Sequence, residues 1–285
     1  MDVVQKTIEN KNNTKSIIKY SLVLLVFIGA LFLSTQNDGP SKFPKVVTDE
    51  FTFTAWVNEG EDYLKKNYRW ITKILANYIK AGYYFLEDFL LESPWILVAA
   101  ILTLPCFIVG GLKLGLFSCF VIYFWGAVGL WEASLQTVAL MGLSVFLCVF
   151  FGVLLGIACS QSDRFENFMK PVLDTMQVMP AFVYLFPALF FFGIGGAPAI
   201  LATMIYSMPP IIRLTNTGIR QVSKETVESA TSFGSSKLQL LLKIKIPMSL
   251  PSIMMGINQV IMMALALVVL ACFIGAEGIG GQVWQ

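Results

Sequence analysis

Charged side chains are missing from three long stretches of this chain: between Glu132 and Asp163, between Asp174 and Arg213, and between Lys245 and Glu277. Each stretch exceeds the roughly 20 apolar residues that cross a bilayer as one helix. The apolar runs predict about seven spans, over 17–34, 94–112, 114–131, 134–160, 177–194, 197–212 and 250–275. Two runs must fold back on themselves. One break is placed at Gly193-Ile194-Gly195-Gly196-Ala197-Pro198, where glycine permits a turn and proline suits a helix start. The other is placed at Gly110-Gly111-Leu112-Lys113. The expected fold class is an all-α membrane protein.

Composition agrees with that pattern and removes most chemistry. Of 285 residues, 56% are hydrophobic and 13% charged, about half the charged share of a soluble domain. A soluble enzyme is excluded. The absence of histidine removes imidazole acid/base catalysis and histidine-ligated metal. Cys106, Cys119, Cys148, Cys159 and Cys272 lie in apolar segments without C-x-x-C spacing, and read as small buried hydrophobes. No catalytic residue, no metal site and no nucleic-acid partner is expected.

Basic residues set the orientation, because positively charged loops stay cytoplasmic. A cytoplasmic N-terminus puts Lys6, Lys11, Lys15, Lys19, Lys113, Arg164, Lys170, Arg213, Arg220, Lys224, Lys237, Lys243 and Lys245 inside. The basic residues left outside all fall between Lys42 and Lys80, within an outer segment, 36–93, that holds more acidic residues than basic ones. Trp56, Trp70, Trp95, Trp125, Trp131 and Trp284 then all fall at the outer interface, as an aromatic belt. Residues 1–35 read as a cytoplasmic start and an uncleaved anchor, 36–93 as an outer segment, 94–131 as a hairpin and 132–285 as the core. Within the outer segment, apolar positions recur at helical spacing from Trp70 to Leu90. They predict an amphipathic helix on the membrane or against its own bundle; docking a receptor is the alternative.

The late spans hold no ionisable group of the kind that binds a coupling ion. Their mid-span polar residues are Thr203, Ser207 and the pair Asn258 and Gln259, read either as helix–helix hydrogen bonds or as the lining of a polar path. No G-x-x-x-x-G-K-[ST] phosphate loop is present. Uphill transport would need energy from another polypeptide, docked on the one large cytoplasmic loop, 213–249. That loop reads as two short helices. Ser223 caps the first, with Glu225 in its first turn, and Gly234 ends it. Ser235 or Ser236 caps the second, and Pro247 stops it before the last span. Docking element and membrane-surface helix both fit this pattern.

Glu228-Ser229-Ala230, then Gly234 after three residues, then Ile244-Lys245-Ile246-Pro247 after nine more, resembles the permease signature of ATP-binding-cassette (ABC) importers. Ser229 and Ile246 depart from it conservatively, with the spacing intact. The stretches 176–185, 208–216 and 251–259 resemble glycine betaine/proline betaine permease subunits. The resemblance implies a type I ABC importer permease core, in which Glu228, Ser229, Ala230, Gly234, Ile244 and Pro247 couple to an ATPase. It adds Met179, Pro180 and Tyr184 to Thr203, Ser207, Asn258 and Gln259 as a candidate path. It implies an inner-membrane, multi-pass location and no cofactor on this chain, with ATP and Mg on the partner ATPase. Implied partners are ATPase subunits, a periplasmic or lipid-anchored substrate-binding protein, a second permease copy and the bilayer. The chain supplies four helices of a five-helix core, so the last helix is expected to be missing. An ion-coupled secondary transporter and a membrane assembly or scaffold protein are the competing functions.

Overall fold

The computed structural model describes residues 20–21, 23–30 and 53–284. The chain divides into two compact units, residues 1–66 and 67–285. In the first, residues 20–21 and 23–30 are helical, and α1 (Phe53–Glu92) begins. The span predicted over 17–34 and the loop predicted up to residue 49 lie largely outside the described residues.

In the second unit, every described element is a helix. From residue 67 on, α1 turns Ala76, Ile79, Tyr83, Glu87 and Leu90 into the core, a stripe at three- and four-residue spacing. Trp70, Ile71, Ile74, Leu75, Tyr78, Phe85 and Phe89 stay exposed. The apolar positions seen in sequence therefore divide between two faces, one on the bundle and one free for lipid. Next, α2 (Trp95–Ala127) is interrupted at Gly111, whose φ 70 and ψ −171 are not helical and divide it into two arms. Phe107 lies where a side chain on Gly115 would sit. At the open end, Trp95 and Ala99 share a pocket with Tyr123, Gly126 and Trp131.

The core is built on α3 (Trp131–Gln161), α6 (Gly196–Arg220) and α9 (Ile246–Leu270), with α6 between the other two. Small residues let the backbones approach, as membrane helices require. A Cβ on Gly152 would meet Ile211 at 2.2 Å, and one on Gly256 would meet the same side chain at 2.7 Å. Ile211 is thus a knob held from both sides. Gly156 faces Thr215, and Gly218 faces Ser252, in the same manner. Pro209 and Pro210 are buried inside α6, which runs about two turns beyond the predicted end at 212.

Three predicted boundaries need correction. The span 177–194 is not one helix: α4 (Asp163–Val178) is followed by a 3₁₀ turn (Ala181–Tyr184) and α5 (Leu185–Phe192), with a 113° bend. Pro180 lies at the break, where its missing N–H and fixed φ end α4. The loop 213–249 is shorter than expected, because α6 enters it from one side and a helix starting at Lys237 enters from the other. Pro247 does not stop that helix. Between α8 (Lys237–Leu240) and α9, a π turn (Leu241–Lys245) makes Ile246 N–H donate to the Leu241 carbonyl. The widened turn leaves room for the Pro247 ring within the first turn of α9.

Among the described residues, four helices are long and apolar enough to cross a membrane, or five if the bent α4–α5 pair counts as one span. The first of the four is α2, with its break at Gly111. A 3₁₀ turn (Ala271–Ile274) and α10 (Ile279–Trp284) follow α9.

Candidate functional site

The loop between α6 and α8 holds α7 (Lys224–Ser232). Ser223 Oγ caps it by accepting from the Thr226 N–H, and Glu225 sits in its first turn. It ends as sequence requires. Gly234 takes φ 81, and Ser235 N–H donates to the Ala230 carbonyl at 3.2 Å, six residues around the turn. Ser236 and Gln239 then form a reciprocal capping box that starts α8. Two caps and one left-handed glycine fix a helix–turn–helix with little buried apolar area.

The signature residues do not share one surface. Ser229, Ala230 and Ile244 line an open cleft of about 610 Å³ with Glu225, Thr226 and Phe233. Glu228 faces a second, smaller recess beside Val222, Lys224 and Lys245. Gly234 forms the turn after α7, and Pro247 is the second residue of α9, exposed. Phe233 protrudes most, at 89% exposed.

Beneath the loop is an ionic cluster that sequence reading missed. Arg220, at the end of α6, reaches Asp163 Oδ1 at 2.7 Å, Glu166 Oε2 at 3.1 Å and the Cys159 carbonyl at 2.9 Å. Asn216 donates to Glu166 Oε1 at 3.0 Å and accepts from Arg220 Nε at 3.0 Å. Lys170 pairs with Glu166 at 3.2 Å, and Arg213 pairs with Asp174. The hydrogen bond from Asn216 holds the Glu166 carboxyl below its ordinary range, helped by Lys170 and Arg220. The signal was available: Asp163, Glu166, Lys170 and Asp174 lie on one face of α4, and Arg213 and Arg220 are two turns apart on α6. Those charges were read for topology alone.

The candidate path residues separate into three places. Thr203 is buried and its hydroxyl donates to the Ala199 carbonyl of its own helix at 2.7 Å. Ser207 is buried with no hydrogen-bond partner for its hydroxyl. Asn258 and Gln259 lie exposed on α9. Met179, Pro180 and Tyr184 belong to the α4–α5 break. Pro180 cannot donate to the Met176 carbonyl four residues back, and the Tyr184 hydroxyl donates to it instead. The Tyr184 ring packs edge-on against Tyr206 of α6 at 5.4 Å.

A mostly charge-free helix bundle with one capped, projecting helix pair has the form of a membrane-embedded subunit with a docking element. Residues 148–285 match the family described as binding-protein-dependent transport system inner membrane component. The chain is 36% identical over 232 residues to the glycine betaine/proline betaine transport system permease protein ProW of Escherichia coli, covering 80% of this chain and 65% of that protein. It is 44% identical over 219 residues to the glycine betaine/carnitine transport permease protein GbuB of Listeria monocytogenes, covering 75% and 76%. It is 46% identical over 158 residues to the glycine betaine transport system permease protein OpuAB of Bacillus subtilis, covering 55% and 56%. A solved chain of the MetNI methionine ABC transporter aligns over 51% of this chain and 74% of that one, with 17% identity and a TM-score of 0.47. The chain belongs to the binding-protein-dependent transport system inner membrane components, the ABC importer permeases, and is a multi-pass membrane protein.

Proposed function

We propose that this chain is the transmembrane permease subunit of an ATP-driven importer for compatible solutes of the glycine betaine and proline betaine class. The single observation that carries the coupling role is α7: a doubly capped helix with an exposed aromatic, set between two helices that run unbroken into the core. Partner ATPase subunits, holding ATP and Mg, dock on Ser229, Ala230, Phe233 and Ile244, with Glu228 on the flank. Gly234 sets the turn, and Ile244 and Pro247 return the chain to the core. A substrate-binding protein delivers solute on the opposite side, and a second copy of this chain completes the path. The N-terminus is cytoplasmic, as the basic residues indicate.

In this reading, ATPase closure pulls on α7 and moves α6 with it. The Arg220–Glu166 and Arg213–Asp174 pairs make α4 follow α6, so the motion reaches the break at Pro180. Met179, Tyr184, Asn258 and Gln259 face the path in this reading. Thr203 and Ser207 act within the helix contact.

The test is reconstitution of the chain with its partner ATPase and binding protein in liposomes. ATP is expected to drive glycine betaine uptake, and a proton or sodium gradient alone is expected to drive none. Gly234→Asp and Glu228→Lys are expected to weaken ATPase co-purification about ten-fold. Unchanged co-purification in both variants would overturn the docking assignment.

A further inference from the structure

At the end of the bundle opposite α7, four elements meet at one polar point. Glu87 of α1 is 7% exposed, and among the described residues it is the only buried carboxylate. Tyr83 and Gln136 are its polar neighbours, and both favour its charged form. An apolar side chain would pack that stripe at lower cost, so packing alone does not account for a carboxylate here. Gln136, on the first turns of α3, also donates to Glu277 Oε2 at 2.7 Å. Gln136 therefore lies between two carboxylates on separate elements, bonded to Glu277 and beside Glu87. Burial holds the Glu87 carboxyl above its ordinary range, with Glu277 and Asp88 adding to the effect. That eases the repulsion between the two acids.

The segment carrying Glu277 is the turn after α9. Gly275 and Gly278 take φ 77 and φ 129 there. Its other ties are to the backbone: Gly195 N–H donates to the Ile274 carbonyl at 2.9 Å, and Ile279 N–H donates to Thr137 Oγ1 at 2.9 Å. The Tyr83 ring lies 3.2 Å from where a Cβ on Gly196 would sit, at the start of α6. Any movement of the end of α9 away from α3 must break the Gln136–Glu277 bond.

We propose that Gln136 is a positioning residue, a clasp that ties the end of α9 to α1 through Glu277 and Glu87 and holds this face of the permease closed. The proposal rests on the transport reading above. Opening of this face, when solute is received, releases Glu277 while Gln136 stays with Glu87. Helix α1 is then the fixed wall against which the end of α9 opens and closes.

The experiment uses the reconstituted full complex, with spin labels at the exposed positions 88 and 282 in a variant lacking native cysteines. Gln136→Leu and Glu277→Ala are both expected to broaden and lengthen the label separation without nucleotide. Both are also expected to raise hydrolysis in the absence of binding protein about five-fold, the order set by one lost hydrogen bond. Glu277→Gln keeps an acceptor for Gln136 and is expected to restore the wild-type separation. Because Glu277 is exposed, its variants report even if Gln136→Leu does not fold. Wild-type separation and hydrolysis in Glu277→Ala would overturn the clasp. A wild-type complex that hydrolyses no ATP would instead overturn the transport reading, and the label separation would still decide the clasp.

Discussion

Gly234 shows how much one residue can decide. Its φ of 81 lies where a Cβ clashes with the backbone. Gly234→Ala is expected to lower stability by about 1 kcal/mol, measured as a fall in Tm, and to tilt α8 away from α7. Its role was readable because a glycine followed by two serines is a helix stop followed by a cap. Glu87 gives the pH dependence. Its folded carboxyl titrates above the unfolded one because it is buried, so the folded state binds more protons. Stability from this group is greatest below the unfolded carboxylate range and declines as pH rises through the raised folded range. Glu87→Gln is expected to flatten that decline, checked by Tm across pH. Nothing in the sequence marked Glu87, since a glutamate on an amphipathic helix ordinarily faces water.

At the scale of the element, the α4–α5 break is where sequence and structure differ most. An uncharged run from 175 to 212 says only that lipid or protein surrounds it. It does not say whether the helix within is whole. Pro180 was visible, but the partner for the carbonyl it frees, Tyr184, lies a turn beyond it and becomes apparent only once the bend is made. Tyr184→Phe leaves that carbonyl unpaired at a cost of about 1–3 kcal/mol. It is expected to lower Tm and to speed amide exchange over 176–184, with α3, α6 and α9 unaffected. The glycine contacts are the reverse case. Gly152, Gly156 and Gly256 sit in apolar text, where small residues mark close helix packing. Gly156→Leu would drive its side chain into Thr215 and the Ile212 carbonyl, and is expected to destabilise the core by several kcal/mol or prevent insertion.

For the whole molecule, the charge map carried most of the information. Long neutral stretches gave the membrane and set α7 apart as a capped projection. Pairings across the fold were not legible, because distant partners leave no local period. The bond from Asn216 to Glu166 spans 50 positions and the bond from Gln136 to Glu277 spans 141.

The helix that begins at Lys237 and continues to Ile274 has 38 residues, a rod of about 57 Å at the usual rise. A bilayer with its headgroups is about 40–45 Å thick. The rod is therefore a lever longer than the membrane it crosses, one end beside α7 and the other beside Gln136. A tilt of about 5° displaces one end by about 5 Å relative to the other, more than enough to part a hydrogen bond. In the proposed transport cycle, a small push at α7 is thus delivered as an opening beside Gln136, with no chemistry in between.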